Sequence, residues 1–221
     1  GEPVKELIQQ VYADMEDLHK VYIFRYSPEY FNRMRTYYGH TLQQLKNIPF
    51  DTLPVGEQVD YILLKREVNQ ELQQIAENEA LYNSLQPVIP FAPAIMTMQV
   101  NRRRGDTPDA EKIAAALGKV QEEIKTAIAG LKQKNTLTPA NARTAAEIVS
   151  DLRNGLKNVY TFYYGYEPAF TRLVKQPYAE TDSLLQQYAQ FLGHELADKS
   201  DKSLDASGIT GTPIGRAALI S

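Results

Sequence analysis

The chain has 221 residues, 43% of them hydrophobic and 23% charged, with a formal net charge of −3. A length of this order suggests one large or two small domains and suffices to bury a core without covalent staples. The slightly acidic balance offers no basic surface for nucleic acid or an anionic membrane, and the absence of cysteine removes disulfides, thiolate zinc sites and a cysteine nucleophile together.

The dominant period is helical. Leu7, Val11, Met15, Leu18 and Tyr22 recur four, four, three and four apart, which places them on one face of a helix opening near Pro3. Ser27-Pro28 reads as an N-cap followed by proline at the first helical position, and Phe31, Met34 and Tyr38 continue at helical spacing. Pro49 and Pro54 mark 46–55 as a loop. A long helix is predicted from about Gly56 to Ser84, striped by Tyr61, Leu64, Val68, Leu72, Ile75 and Tyr82. Pro87, Pro90 and Pro93 end it, because proline has no amide proton to donate and its ring clashes with the preceding turn. A short helix follows over about Ala94 to Arg104.

Thr107-Pro108-Asp109 reads as a second cap-and-proline start, for a helix striped by Ile113, Leu117, Val120, Ile124, Ile128 and Leu131. Thr138-Pro139 is a third, leading into Ala142, Ala145, Val149, Leu152, Leu156, Val159 and Tyr163. The short connection between these two helices, 133–137, and their many alanines predict an antiparallel hairpin packed closely on itself. A last full helix is expected from about Glu180 to Lys199, with Leu184, Leu185, Tyr188, Leu192 and Leu196 inward. No segment alternates as a strand would, and nothing repeats. The fold expected is all-α, an irregular bundle of about six to eight helices with long antiparallel helical hairpins, occupying 1–199. No stretch approaches the ~20 apolar residues of a membrane span.

Residues 200–221 read as a polar linker and then a fresh helix start, Thr212-Pro213 before Ile214, Ala217, Ala218 and Leu219. So short a helix is marginal in water unless packed, so the segment is read as the truncated beginning of a following part of a longer protein. An apolar face meant for that part would then be exposed, and self-association is expected. Gly1-Glu2-Pro3 has the look of a processed start. It leaves room for a removed export signal, with the cytoplasm as the alternative location.

Chemistry is sparse. His194-Glu195-Leu196-Ala197-Asp198 is one residue away from H-E-x-x-H, in which two histidines on one helical face bind zinc, but the second ligand position is aspartate. Its plainer reading is a solvated helix end. There is no G-x-S-x-G and no Walker loop, and Gly208, Gly211 and Gly215 follow no strand. Arg102-Arg103-Arg104 offers planar guanidinium forks for a carboxylate, or simply cations placed against a helix C-terminus. The aromatic run Tyr160, Phe162, Tyr163, Tyr164 and Tyr166 must point around a whole helix, so part of it is core and part faces a groove or partner. Arg102, Arg103, Tyr163 and Tyr164 are the candidate substrate-binding groups; no catalytic or metal-binding residue is assigned.

Four segments in order carry a resemblance. They are Tyr26-Ser27-Pro28-Glu29-Tyr30, Asp60-Tyr61-Ile62-Leu63-Leu64-Lys65-Arg66-Glu67, Pro90-Phe91, and Ser207-Gly208-Ile209-Thr210-Gly211-Thr212-Pro213-Ile214-Gly215-Arg216. Together they resemble the N-terminal region of the bacterial domain-of-unknown-function family 885. That resemblance implies a mostly helical, often exported parent similar to zinc metallopeptidases of the H-E-x-x-H kind, with the metal motif beyond Ser221. It therefore implies zinc in the full-length parent and no cofactor in these residues. The implied partners are a peptide-like substrate and the chain's own C-terminal domain. The near miss at His194 is not at the family's motif position. The expected role is a non-catalytic helical wall of a substrate cleft, inactive alone; the alternative is a helical binding or scaffold module without enzymatic activity.

Overall fold

Proline opens four of the helices. In the computed structural model, which describes residues 1–198, α1 (Pro3–Val21), α2 (Pro28–Lys46), α6 (Pro139–Tyr163) and α7 (Pro168–Gln190) all start on proline. There its fixed φ suits the helix and its missing N–H costs nothing. Ser27 and Thr138 cap α2 and α6, accepting from the N–H of Tyr30 at 3.2 Å and of Asn141 at 3.1 Å. The remaining helices are α3 (Val55–Leu85), α4 (Ala92–Arg104) and α5 (Ala110–Gln133). Short 3₁₀ turns at Phe50–Thr52 and Gln86–Val88 connect them, and a π-helical segment, Phe191–Asp198, continues α7. No strand occurs among the described residues, and no described helix is long and apolar enough to cross a membrane.

The predicted stripes are the buried faces. Leu64, Val68, Ile75 and Tyr82 of α3, Leu117, Val120, Ile124 and Leu131 of α5, and Ala142, Ala145, Val149, Leu152, Leu156, Val159 and Tyr163 of α6 are all buried. All of these except Ala142 join one continuous core. Helix α2 runs antiparallel to α3: Phe31 meets Tyr82 at 6.1 Å, Arg35 meets Glu79 at 3.0 Å, and Phe50 meets Tyr61 at 5.1 Å. Helix α1 lies antiparallel to α2, with Tyr37 donating to Asp14 at 2.7 Å and Tyr22 against Tyr30 at 6.0 Å. Burial and the hydrogen bond to the Asp14 carboxylate push the Tyr37 hydroxyl far up.

Three sequence expectations change here. Asp109, not Thr107, caps α5, its carboxylate accepting from Lys112 N–H at 3.2 Å. A carboxylate at that position also faces the positive helix end, so it outcompetes the hydroxyl two residues earlier. The last long helix starts at Pro168, not near Glu180, because Pro177 lies inside it. The ring leaves the Leu173 carbonyl without an amide donor one turn on; the Pro177 carbonyl itself accepts from the Thr181 hydroxyl at 2.7 Å and from the Gln121 amide at 3.2 Å, which ties this stretch of α7 to α5. Finally, α5 and α6 do not pack as a pair. Helix α7 packs on both, antiparallel to α6 through Tyr163–Phe170 at 5.3 Å and Arg153–Asp182 at 2.8 Å. It runs parallel to α5, with Gln121 donating to Thr181 at 3.0 Å and Lys132 over Phe191 at 5.8 Å. The long hairpins are α2–α3 and α6–α7. The predicted segment 200–221 and the end of the bundle at 199 lie outside the described residues.

The α1–α2 connection is pinned to α6 by one ring. Phe24 is buried against Gly155, and a Cβ built at 155 would fall inside contact distance of its Cζ and Cε1. Gly155→Ala is therefore expected to destabilise the chain by about 1–3 kcal/mol, with Phe24→Leu in the same chain restoring part of the loss in urea unfolding.

One turn from Gly155, burial and the neighbouring Glu147 carboxylate push the Asp151 carboxyl up, while Arg25 acts the other way. The folded chain then binds that proton more tightly than the unfolded chain. This contribution is present at low pH and is lost as pH rises from the ordinary carboxylate value of about 4 through the raised one. Asp151→Asn should gain melting temperature relative to the parent chain at about pH 7 and lose that advantage near pH 3. A flat difference across a thermal-melt series would contradict this assignment.

Candidate functional site

The chain turns sharply between α4 and α5. Gly105 takes φ 78°, a conformation that a side chain disfavours. This allows Gly105 N–H to reach the Arg102 carbonyl at 2.9 Å and Asp106 N–H to reach the Asn101 carbonyl at 3.0 Å, closing the end of α4. Thr107 and Pro108 then run on to the Asp109 cap. Helix α4 goes on to pack along α6, while α5 packs along α7. The two helices diverge from the turn, and a groove of about 510 Å³ opens between them, walled by the end of α6. Its floor is apolar: Ala94 and Met98 from α4, Ile113 and Ala116 from α5, and Val159 from α6. Asn101, Asp106, Asp109 and Lys112 stand around its mouth.

Consecutive residues on a helix point about 100° apart, so the candidate groups separate. Tyr163 faces the groove, buried, its hydroxyl donating to the Asp106 carbonyl at 2.9 Å. Burial pushes that hydroxyl up, with the Arg102 cation lowering it and the Asp106 carboxylate raising it. Arg102 stands beside it, over the Phe162 ring at 5.0 Å, its Nε donating to Gln99 at 3.3 Å. Phe162 and Tyr166 are nearly parallel, 6.5 Å apart, and both are exposed.

Arg103 turns to the other side of α4, where it pairs with Glu29 and lies over Tyr22 at 5.3 Å. It lines a smaller cavity of about 210 Å³, against the α1–α2 connection. Tyr164 lies on a third surface, 5.4 Å from Tyr160, which itself stacks on Tyr178 at 4.0 Å. Of the four candidates, Tyr163 alone lines this groove, and Arg102 is its neighbour outside the lining.

His194 and Asp198 are exposed and bonded to each other, Nδ1 to Oδ2 at 3.0 Å. No group of three histidine, cysteine or acidic side chains converges among the described residues, so these residues do not fit a catalytic zinc ion, which needs three protein ligands.

Asp106 and the apolar floor escaped the sequence reading. The one available signal was Gly105-Asp106-Thr107-Pro108-Asp109, which marks a tight turn flanked by carboxylates. The Tyr163 hydroxyl ties this turn to α6. Tyr163→Phe should cost about 1 kcal/mol. It should also speed amide hydrogen exchange at Thr107 and Asp109 while leaving α7 unchanged.

No curated protein and no solved structure matches the chain. One family model does match, over residues 16–217, a span that contains all four segments named above and every helix that lines the groove. Its description is bacterial protein of unknown function (DUF885), and the chain belongs to that family.

Proposed function

We propose that this chain is a non-catalytic helical wall of a substrate cleft in a zinc-metallopeptidase-like protein. The groove between α4 and α5 supports this reading. It is apolar at the floor and polar at the mouth, and it is of a size that accepts a few residues of an extended peptide. Tyr163 is the candidate in the groove to orient such a ligand, with Arg102 as its neighbour outside the lining; Arg103 and Tyr164 serve other surfaces. Any zinc ligands would come from outside the described residues, and with them the hydrolytic step. The groove's contribution is to position the peptide and keep water from it.

A second reading, a binding or scaffold module without activity, has its own observation. Val55, Val59, Ile62 and Leu63 are exposed on α3, opposite its buried stripe, so this helix is apolar on two sides. A helix of that kind commonly meets a partner on its second face.

Expressing the chain together with whatever its gene encodes beyond Ser221, beside residues 1–221 alone, separates the two. Zinc content and peptide hydrolysis are expected in the longer form only. If neither form binds zinc or cleaves peptides, the scaffold reading replaces the first. Clear peptidase activity from the 221 residues would overturn both.

A further inference from the structure

Three charged residues line the α4–α5 groove, Asp106, Asp109 and Lys112, and two of them are already engaged with each other. Asp109 caps α5 and lies 3.9 Å from the Lys112 ammonium. Arg102, outside the lining, is held by Gln99 and the Phe162 ring. The Asp106 carboxylate has neither an ion pair nor a side-chain hydrogen bond with any described residue. Its backbone is nevertheless fixed on both sides, by the Asn101 carbonyl that accepts its N–H and by the Tyr163 hydroxyl that donates to its own carbonyl. The closing carbonyls of α4 add the negative end of a helix dipole at the same place. An uncommitted, positioned carboxylate therefore stands over an apolar hollow.

We infer that the groove receives the free N-terminal residue of a peptide whose first side chain is apolar. The side chain enters among Met98, Ile113, Ala116 and Val159, and the α-ammonium pairs with Asp106. A free α-amine, with a pKa of about 8, is cationic at neutral pH. It also sits at the root of the side chain it accompanies, as a carboxylate at the rim of an apolar pocket requires. A lysine carries its charge at the far end of an apolar stem and would bring that charge to the floor. Such charge-assisted contacts are stronger than neutral ones, so the amine should dominate selectivity. The inference rests on the reading of the groove as part of a peptide cleft, and it adds which end of the peptide is held.

Calorimetric titration of the 221-residue chain with leucyl-glycyl-glycinamide and its N-acetylated form tests this. The free amine should bind about ten-fold more tightly, the effect of one charge-assisted contact. Asp106→Asn should erase that difference. Thr97→Phe, which fills the groove from an exposed position, should abolish binding of both peptides, with circular dichroism unchanged. Equal binding of the two forms, or a difference that survives in Asp106→Asn, overturns the inference and leaves the groove as a peptide site. Failure of both peptides to bind overturns the inference and the groove's role together. The zinc and hydrolysis comparison then decides the wider reading by itself.

Discussion

Helix α7 lies against both α5 and α6, and the placement of everything on that side of the molecule follows from it. It holds this place despite a proline in its middle. The proline has no amide proton for the Leu173 carbonyl, and the helix is braced beside that gap by two side chains, Thr181 from the next turn and Gln121 from α5, that bond the Pro177 carbonyl. The same Gln121 amide bonds the Thr181 hydroxyl, so one polar knot ties α5 to α7 in an otherwise apolar contact. On the other side, Arg153 grips Asp182 with two hydrogen bonds. A forked pair of this kind fixes orientation as well as distance. With α7 held against both partners, α5 leans toward it and away from α4. The groove is the space that this choice leaves.

Much of the architecture was legible because proline and a capping hydroxyl speak locally. Ser27-Pro28 and Thr138-Pro139 set helix starts through bonds made within three residues, and no distant contact needs to be known. The buried stripes of α3, α5 and α6 were legible for a similar reason, since helical periodicity survives whichever helix covers the face. Pro177 misled because the same local rule calls for a break there. The helix runs on through it while braced on α5 by Gln121, 56 residues away, a contact that no local rule shows. The α5–α6 connection misled in another way. A short link makes two helices neighbours in the chain, but it says nothing of a third helix that arrives later and takes the interface.

The candidate site was only partly legible, and the divided fate of its residues has a geometric cause. Arg102 and Arg103 are adjacent in sequence, yet one lies over Phe162 and the other lines the cavity against the α1–α2 connection; Tyr163 and Tyr164 are adjacent and serve different faces. Composition marks such runs as noteworthy but cannot assign each member a direction. The groove floor left no sequence mark at all. Met98, Ile113, Ala116 and Val159 have the character of core residues, and it is the divergence of their helices, not their chemistry, that exposes them to a cavity.

The Phe24 ring seated against Gly155 acts as a mechanical key. The α1–α2 connection cannot slide along α6 without withdrawing a whole aromatic side chain from its notch. The first helices and α6 are thereby geared together, and α4 lies between them, bonded to the α1–α2 region through Arg103 and packed on α6. One wall of the groove thus belongs to a rigid block. Whatever change in width the groove undergoes must come from the opposite wall, where a single glycine at 105 and the residues up to the Asp109 cap are the only covalent tie between α4 and α5.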